Sequence, residues 1–297
     1  MITCDLRGGL GNQFFQILAI LVIAKQNNVD FCFTDQTNLD GDQSILRYTY
    51  WNTLFKDLKK YTVSINDEYK EDVLHISHEA FEYNPVEYKE EWKDKKIMYH
   101  GYFQSYRYFS SHAKELFDFI GLNQRKQEWK ENYPLILNQL QQYKTSISMH
   151  FRLGDYKEKQ YFHPILTKDY YKNALSHIVS TYPVDEPILV LYFCEAEDNV
   201  FVAQTIFDLS IEFSQCIFSK CPDEMEDYNQ MLCMSMCSHH IIANSSFSWF
   251  GAYLSHSEDL TTENEMNKIV CYPSVWFCGF GSHIQTHDLF PPKWIKI

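Results

Sequence analysis

From residue 146 to 156 the chain reads Ser-Ile-Ser-Met-His-Phe-Arg-Leu-Gly-Asp-Tyr. The stretch begins with strand-like alternation and ends in a glycine turn. His150, Arg152 and Asp155 therefore arrive together where the strand stops. Side chains alternate along a strand, so His150 and Arg152 point the same way and converge on its end. In an open α/β sheet, ligands sit outside the carboxyl ends of the strands. An arginine there is a fixed charge suited to phosphate oxygens. A neighbouring aspartate can accept a proton. The pattern points to chemistry on a phosphorylated substrate, and it is equally the spelling of a surface ion pair followed by a turn aspartate.

Two further segments have the same loop-to-helix character. Gly8-Gly9-Leu10-Gly11-Asn12-Gln13 lies between a short strand and an apolar helix. Glycines let a backbone approach a ligand closely, and a helix N-terminus favours an anion. Phe14 stands where the third glycine of a dinucleotide fingerprint belongs, and no Gly-Lys-Ser/Thr follows, so neither nucleotide motif is complete. A tight strand-to-helix turn accounts for the glycines equally well. Asn244-Ser245-Ser246-Phe247-Ser248 also follows a strand and opens a helix. Its hydroxyls and N–H groups suit an oxyanion, and its residue types are those of an N-cap; the two uses are compatible. Asp40-Gly41-Asp42 has the paired carboxylates of a metal site, but its turn-rich surroundings favour a plain turn. There is no Gly-x-Ser-x-Gly elbow and no His-Glu-x-x-His helix.

The elements that must carry these loops are legible in outline. A strand over residues 2–6, a helix over 13–26 and a strand over 31–34 make a β–loop–α–β opening, which favours a parallel sheet. Residues 40–96 read as irregular, acidic and aromatic. A strand is expected over 97–103, and helices over 106–120 and 124–143, the last broken at Pro134. A second α/β series starts at Ser146. It has helices over 168–181, 199–208 and 226–237, and strands at 187–193, 217–218, 240–243 and, as the last, 268–272, with residues 294–297 closing the chain. Two α/β domains are expected, 1–144 and 145–297, with a cleft between them.

Composition narrows the partners. The chain has 297 residues, 45% of them hydrophobic, with 21 Tyr and 22 Phe, enough for a core in each half. The formal net charge is −13 with no basic block, which argues against nucleic acid. An anionic ligand must then be met by a few placed cations and backbone N–H groups. The longest early apolar run, Ile17 to Ala24, is far short of the roughly 20 residues of a membrane span, and no signal peptide is visible. A soluble, cytoplasmic protein is expected. Nine cysteines without Cys-x-x-Cys read as buried free thiols. The set Cys216, Cys221, Cys233, Cys237, His239 and His240 fits no standard zinc framework.

Four segments in order resemble glycosyltransferase family 11, the α-1,2-fucosyltransferases of the soluble bacterial or viral type. They are residues 8–16, 101–109, 150–156 and 241–252, and the ending Trp294-Ile295-Lys296-Ile297 is also similar. The resemblance implies an α/β fold of the GT-B type, two Rossmann-like domains facing across a cleft. It implies an inverting, metal-independent transfer of L-fucose from GDP-fucose, a co-substrate and not a resident cofactor, to O2 of a terminal β-galactoside. The alternatives are another GDP-sugar, another acceptor hydroxyl, or a sugar-nucleotide-binding protein without catalysis. The N-terminal domain would serve the acceptor, a galactose-terminated glycan, and the C-terminal domain the donor. Arg152 would stabilise charge on the leaving phosphate. Asp155 would act as base, or orient Arg152 by an ion pair. His150, Asn244, Ser245, Ser246, Phe247, Ser248 and Glu195 would bind the donor, with Gly9, Gly11, Asn12 and Gln13 of the glycine loop. Three departures stand out: Leu153 replaces a second arginine, Phe250 replaces a second tryptophan, and Phe193-Cys194-Glu195-Ala196-Glu197 replaces Phe-Ser-Asp-Asp.

Overall fold

A computed structural model describes residues 1–39, 47–64, 72–256 and 268–297; Asp40-Gly41-Asp42 lies outside them. The chain divides into two units, Met1–Gln124 with Gln285–Pro291, and Arg125–Ile284 with Pro292–Ile297. The expected division fell at 144/145. Here most of the helical region before residue 144 groups with the second unit, and a short segment near the C-terminus groups with the first.

In the first unit, β1 (Ile2–Cys4) leads into α1 (Leu10–Asn27), then β2 (Phe33–Thr34), β3 (Asn38–Leu39), β4 (Arg47–Tyr48), β5 (Thr62–Val63), β6 (Val73–Ser77), β7 (Lys96–His100) and α2 (Ala113–Phe119). Strands β1, β7 and β6 pair in parallel in that order. Strand β2 pairs in parallel with β5, and a parallel bridge from Ile2 to Phe31 joins the two sheets. The combined order is β5-β2-β1-β7-β6, and β3 with β4 forms a separate antiparallel pair. The chain leaves β1 toward β2 and β5 on one side, then crosses to β6 at the other edge and comes in to β7, so β1 and β7 are neighbours that no single crossover joins.

Helix α1 begins at Leu10, inside the glycine motif and three residues earlier than expected. Leu10 is buried and Gly9, in an extended conformation, takes the cap position. From Phe14 to Ala24 the helix is buried on every side. A helix apolar all round belongs inside a core. The aromatic middle segment packs on it, with Phe14 and Phe55 edge to face at 4.8 Å. Helix formation over 106–120 is partial. Two 3-10 turns occupy 106–112 and only Ala113–Phe119 is α-helical.

The second unit carries α3 (Leu122–Asn132, in which the division falls), α4 (Pro134–Gln142), β8 (Thr145–His150), α5 (Lys168–Val179), β9 (Ile188–Phe193), α6 (Asn199–Glu212), β10 (Cys216–Lys220), α7 (Asp227–Ser235), β11 (His239–Ile241), α8 (Ser246–Tyr253), β12 (Val270–Tyr272) and β13 (Ile295–Lys296). Pro134 separates α3 from α4 by taking the first position of α4, where its missing N–H costs nothing. The six strands form one parallel sheet in the order β10-β9-β8-β11-β12-β13. All residues of β8 are buried, with β9 and β11 at its two edges and α5 and α6 over the face of Ile147 and Met149. Ile147, Met149, Val190, Leu175, Ile178 and Val202 share one core. The chain runs outward from β8 through β9 to β10, then returns to the other side of β8 with β11. This sheet therefore reverses between β8 and β11.

Candidate active site

The strand order reverses between β8 and β11, and the carboxyl ends of strands at such a point are where open α/β sheets bind ligands. The residues after β8 and after β11 are the two segments singled out in the sequence. After β8, Arg152 is only 18% exposed at its side chain and forms ion pairs with Asp155 and Glu195. Each terminal nitrogen gives a hydrogen to one carboxylate, out of the five a guanidinium carries. Its guanidinium also lies over the Tyr156 ring at 5.0 Å. Burial alone disfavours the Arg152 charge, but Tyr156, Asp155 and Glu195 more than offset it, and its pKa is raised.

The turn that presents Arg152 depends on Gly154. Its φ of +32° and a built Cβ only 2.7 Å from Glu195 Oε2 make any side chain unfavourable there. The Gly154 N–H donates to Asp198 Oδ2 at 3.0 Å, and Lys157 pairs with the same buried carboxylate. The loop after β9 therefore holds the loop after β8 at two points, through Glu195 and Asp198. Asp155 also lies 3.8 Å from Lys159. Of its two expected roles, the ion pair is the one formed here.

After β11, Ser245 caps α8, its Oγ accepting from Phe247 N–H at 3.3 Å. Ser248 is buried, and its Oγ accepts from Ala243 N–H at 3.2 Å. Asn244, also buried, donates from Nδ2 to Pro164 O at 3.0 Å and Trp276 O at 3.3 Å. Ser248 and Asn244 thus shape the loop. Ser246 and Phe247 are half-buried at the start of α8. The Tyr156 hydroxyl donates to Asn244 O at 3.0 Å, and the His150 and Phe247 rings lie 5.5 Å apart, so the two loops form one wall.

His150 is buried, and burial first, then the Arg152 charge, lowers its pKa to about 3. It is neutral at physiological pH and supplies a hydrogen-bonding nitrogen, not a second cation. Its Nδ1 and Asn244 Oδ1 are buried without a hydrogen-bond partner among the described residues. Such groups are rare in native interiors and mark positions with bonding capacity to spare. The site thus combines one carboxylate-oriented arginine, a helix N-terminus and neutral polar atoms, an arrangement suited to a diphosphate.

The glycine-loop candidates lie in the first unit. Gly11 and Gln13 are buried, whereas Gly9 and Asn12 are half-buried. Gln13 Nε2 donates to Gly8 O at 3.1 Å and Tyr48 O at 2.8 Å. Asn12 Oδ1 accepts from Gln104 Nε2 at 2.8 Å. Gly8, at φ +75°, is the residue whose conformation requires glycine: a Cβ would meet Asn12 Nδ2 at 2.4 Å. These side chains fold the loop against residues 101–104 and β4.

Two residues at the site were not singled out from sequence. Asp198 bonds a backbone N–H far away in the chain, a contact that no local pattern encodes. His163 stacks on Tyr156 at 4.2 Å, and burial lowers its pKa to about 4. Its signal was the aromatic run Tyr161-Phe162-His163 shortly after the motif. Glu195, Glu197 and Asp198 form the one carboxylate group with metal-compatible spacing among the described residues. Two of its three members already face Arg152 and Lys157. The two histidines of the cysteine-rich set are engaged in the sheet. Ser148 and Ser255 bond His240 at 2.7 and 3.0 Å, and Ile269 N–H donates to His239 at 3.0 Å. The cysteines are free; eight are buried and Cys278 is half-buried.

Comparison with known proteins returns a consistent set. The family profile "Glycosyl transferase family 11" matches residues 1–268. The O-antigen biosynthesis glycosyltransferase WbnK of Escherichia coli is 27% identical, covering 100% of both chains. An alpha-1,2-colitosyltransferase of Escherichia coli is 26% identical, covering 100% of this chain and 99% of its own. Among solved structures, a mutant of Arabidopsis thaliana FUT1 in complex with GDP matches with a TM-score of 0.49 at 10% identity, over 85% of this chain and 68% of that one. The Escherichia coli ADP-heptose LPS heptosyltransferase II matches with a TM-score of 0.48 at 11% identity, over 100% and 89% of the two chains. The NodZ alpha-1,6-fucosyltransferase co-crystallized with GDP matches with a TM-score of 0.42 at 10% identity, over 85% and 92%.

Proposed function

The chain belongs to glycosyl transferase family 11 and is a glycosyltransferase; we propose that it transfers L-fucose from GDP-fucose to O2 of a terminal β-galactoside, inverting the anomeric centre without a metal. The observation that carries the reading is Arg152, held by two carboxylates at the β8/β11 reversal beside the start of α8. The two α/β units, each on a parallel sheet, have the make-up of a GT-B enzyme.

In this mechanism the acceptor hydroxyl attacks the fucose anomeric carbon as the bond to the β-phosphate breaks. Negative charge grows on that phosphate, so donors aimed there act most strongly in the transition state. Arg152 supplies the fixed charge, and the N–H of Ser246 at the start of α8 supplies the helix terminus, with Phe247 N–H spent on the Ser245 cap. Neutral His150 and Asn244 contact the nucleotide. Asp155 orients Arg152. For Asp155 to serve as base it would have to release that guanidinium. Glu195 and Lys157 complete a frame that fixes the Arg152 loop in place.

A second donor is favoured by one observation, the full-length relative named as a colitosyltransferase. The two readings separate in one assay. GDP-fucose, GDP-colitose and GDP-mannose are each supplied with a β-galactoside, with and without EDTA, and the product linkage is read by NMR. An EDTA-insensitive α-1,2-fucosyl product supports the proposal. Turnover of GDP-colitose alone selects the second reading, and GDP binding without transfer from any donor contradicts both.

A further inference from the structure

In the first unit β1 and β7 are neighbours that no single crossover joins, and a polar cluster sits at the carboxyl ends of those strands. Cys4 is in register with Tyr99, and Asp5 N–H donates to Tyr99 O at 3.0 Å, which sets Asp5 beside His100. His100 is in register with Ser77, two residues after His75 on the same face. The side chains form one chain of contacts. His75 Nδ1 lies 2.7 Å from His100 Nε2, and the rings stack at 5.0 Å. His100 Nδ1 lies 3.3 Å from Asp5 Oδ2 and 3.2 Å from Arg7 Nη2. Arg7 Nε donates to Asp5 Oδ2 at 2.9 Å, and Arg7 Nη1 lies 3.6 Å from Glu79 Oε1. Tyr102 follows β7 and stacks with Phe81 at 6.4 Å. Two residues before Asp5 on the same face, Thr3 Oγ1 is buried without a partner among the described residues.

The opposite face of these strands is apolar and closed: Ile2, Cys4, Ile97 and Tyr99 are each 1% exposed or less. The polar face is accessible, with side-chain exposures of 41% for Asp5, 35% for Arg7 and 21% for His100. Two carboxylates stand against one guanidinium, which disfavours a phosphate or another anion here. Alternating acceptors and donors match the hydroxyls of a neutral sugar, each of which both donates and accepts, and an aromatic ring alongside can take its apolar face.

We propose that Asp5, Arg7, His75 and His100 form the acceptor subsite, binding a neutral hexopyranoside through adjacent hydroxyls at the carboxyl ends of β1, β7 and β6. The inference rests on the transferase reading, which requires an acceptor sugar, but its test uses a separate ligand. Saturation-transfer NMR measures binding of methyl β-D-galactoside, methyl β-D-glucoside and methyl β-D-galacturonide to the full chain. Calorimetry measures GDP on the same samples. Wild type is expected to bind a neutral glycoside. Asp5→Asn and His100→Phe should weaken that binding at least tenfold while GDP affinity stays within twofold, which also reports an intact fold. Equal glycoside binding by wild type and both variants would overturn the assignment. So would no binding of either neutral glycoside by wild type, or tighter binding of the galacturonide. Loss of glycoside binding by the variants in a protein that never binds GDP would leave the subsite standing and contradict the donor proposal instead.

Discussion

Arg152 is held on two sides, by Asp155 and by Glu195, and the two contacts differ in exposure: Asp155 is 15% exposed and Glu195 47%. The more enclosed pair is the stronger constraint, since exposed pairs contribute little. Replacing Asp155 by Asn should therefore raise the donor KM and lower turnover by roughly tenfold through misorientation of Arg152. A loss nearer the roughly 10²–10⁴ of a general base, with donor KM unchanged, would assign the proton to Asp155 instead. Glu195→Gln should act in the same direction as Asp155→Asn and more weakly, read as donor KM. At this scale the sequence told much about Arg152 and little about its frame. Strand alternation and the glycine turn located Arg152 within a few residues. Asp198, which anchors the turn from a distant loop, has no local signature, nor do the bonds of Ser248 Oγ within its own loop and of Gln13 Nε2 to Gly8 O and Tyr48 O.

Two loops and one helix terminus set the geometry of the wall around Arg152. Gly154→Ala forces a side chain into a left-handed backbone, a cost of about 1 kcal/mol, and pushes Glu195 off its position. It should lower the melting temperature slightly and raise the donor KM, and an unchanged KM would separate the turn from binding. Ser245→Ala removes the cap of α8, worth about 1 kcal/mol. Thermal unfolding should show that loss, with GDP affinity falling in the same variant. The repeating β–α order was readable because apolar runs of strand length alternate with helical periods. Element ends were less readable, for physical reasons. Helix α1 starts within the glycine motif because Leu10 is buried, and the 106–120 segment breaks into 3-10 turns before its α-helix. The return of residues 285–291 to the first unit is a long-range packing choice that periodicity does not encode.

Among the described residues, burial lowers the pKa of four imidazoles, to about 3 for His150, to about 4 for His163 and His239, and in the same direction for His78. An unfolded histidine takes up its proton near pH 6.5, so below that the unfolded state binds more protons than the folded one. Their stabilising contribution is complete above about pH 6.5 and falls as pH drops toward the folded values. Denaturant titrations at pH 7 and pH 5 should show lower stability at pH 5, and equal stability would mean these rings are not held neutral. Among the described residues no helix is long and apolar enough to cross a membrane. The parallel character of both sheets followed from the β–α alternation, whereas the β8/β11 reversal beside Arg152 and the pairing of β1 with β7 at the Asp5–His100 cluster became visible only from strand order. The most direct test of the donor assignment is the Arg152→Ala variant, assayed for GDP affinity by calorimetry and for turnover with the donor that wild type uses. Weakened GDP binding and a loss of about 10²–10³ in kcat are predicted; normal turnover with normal donor affinity would contradict the account.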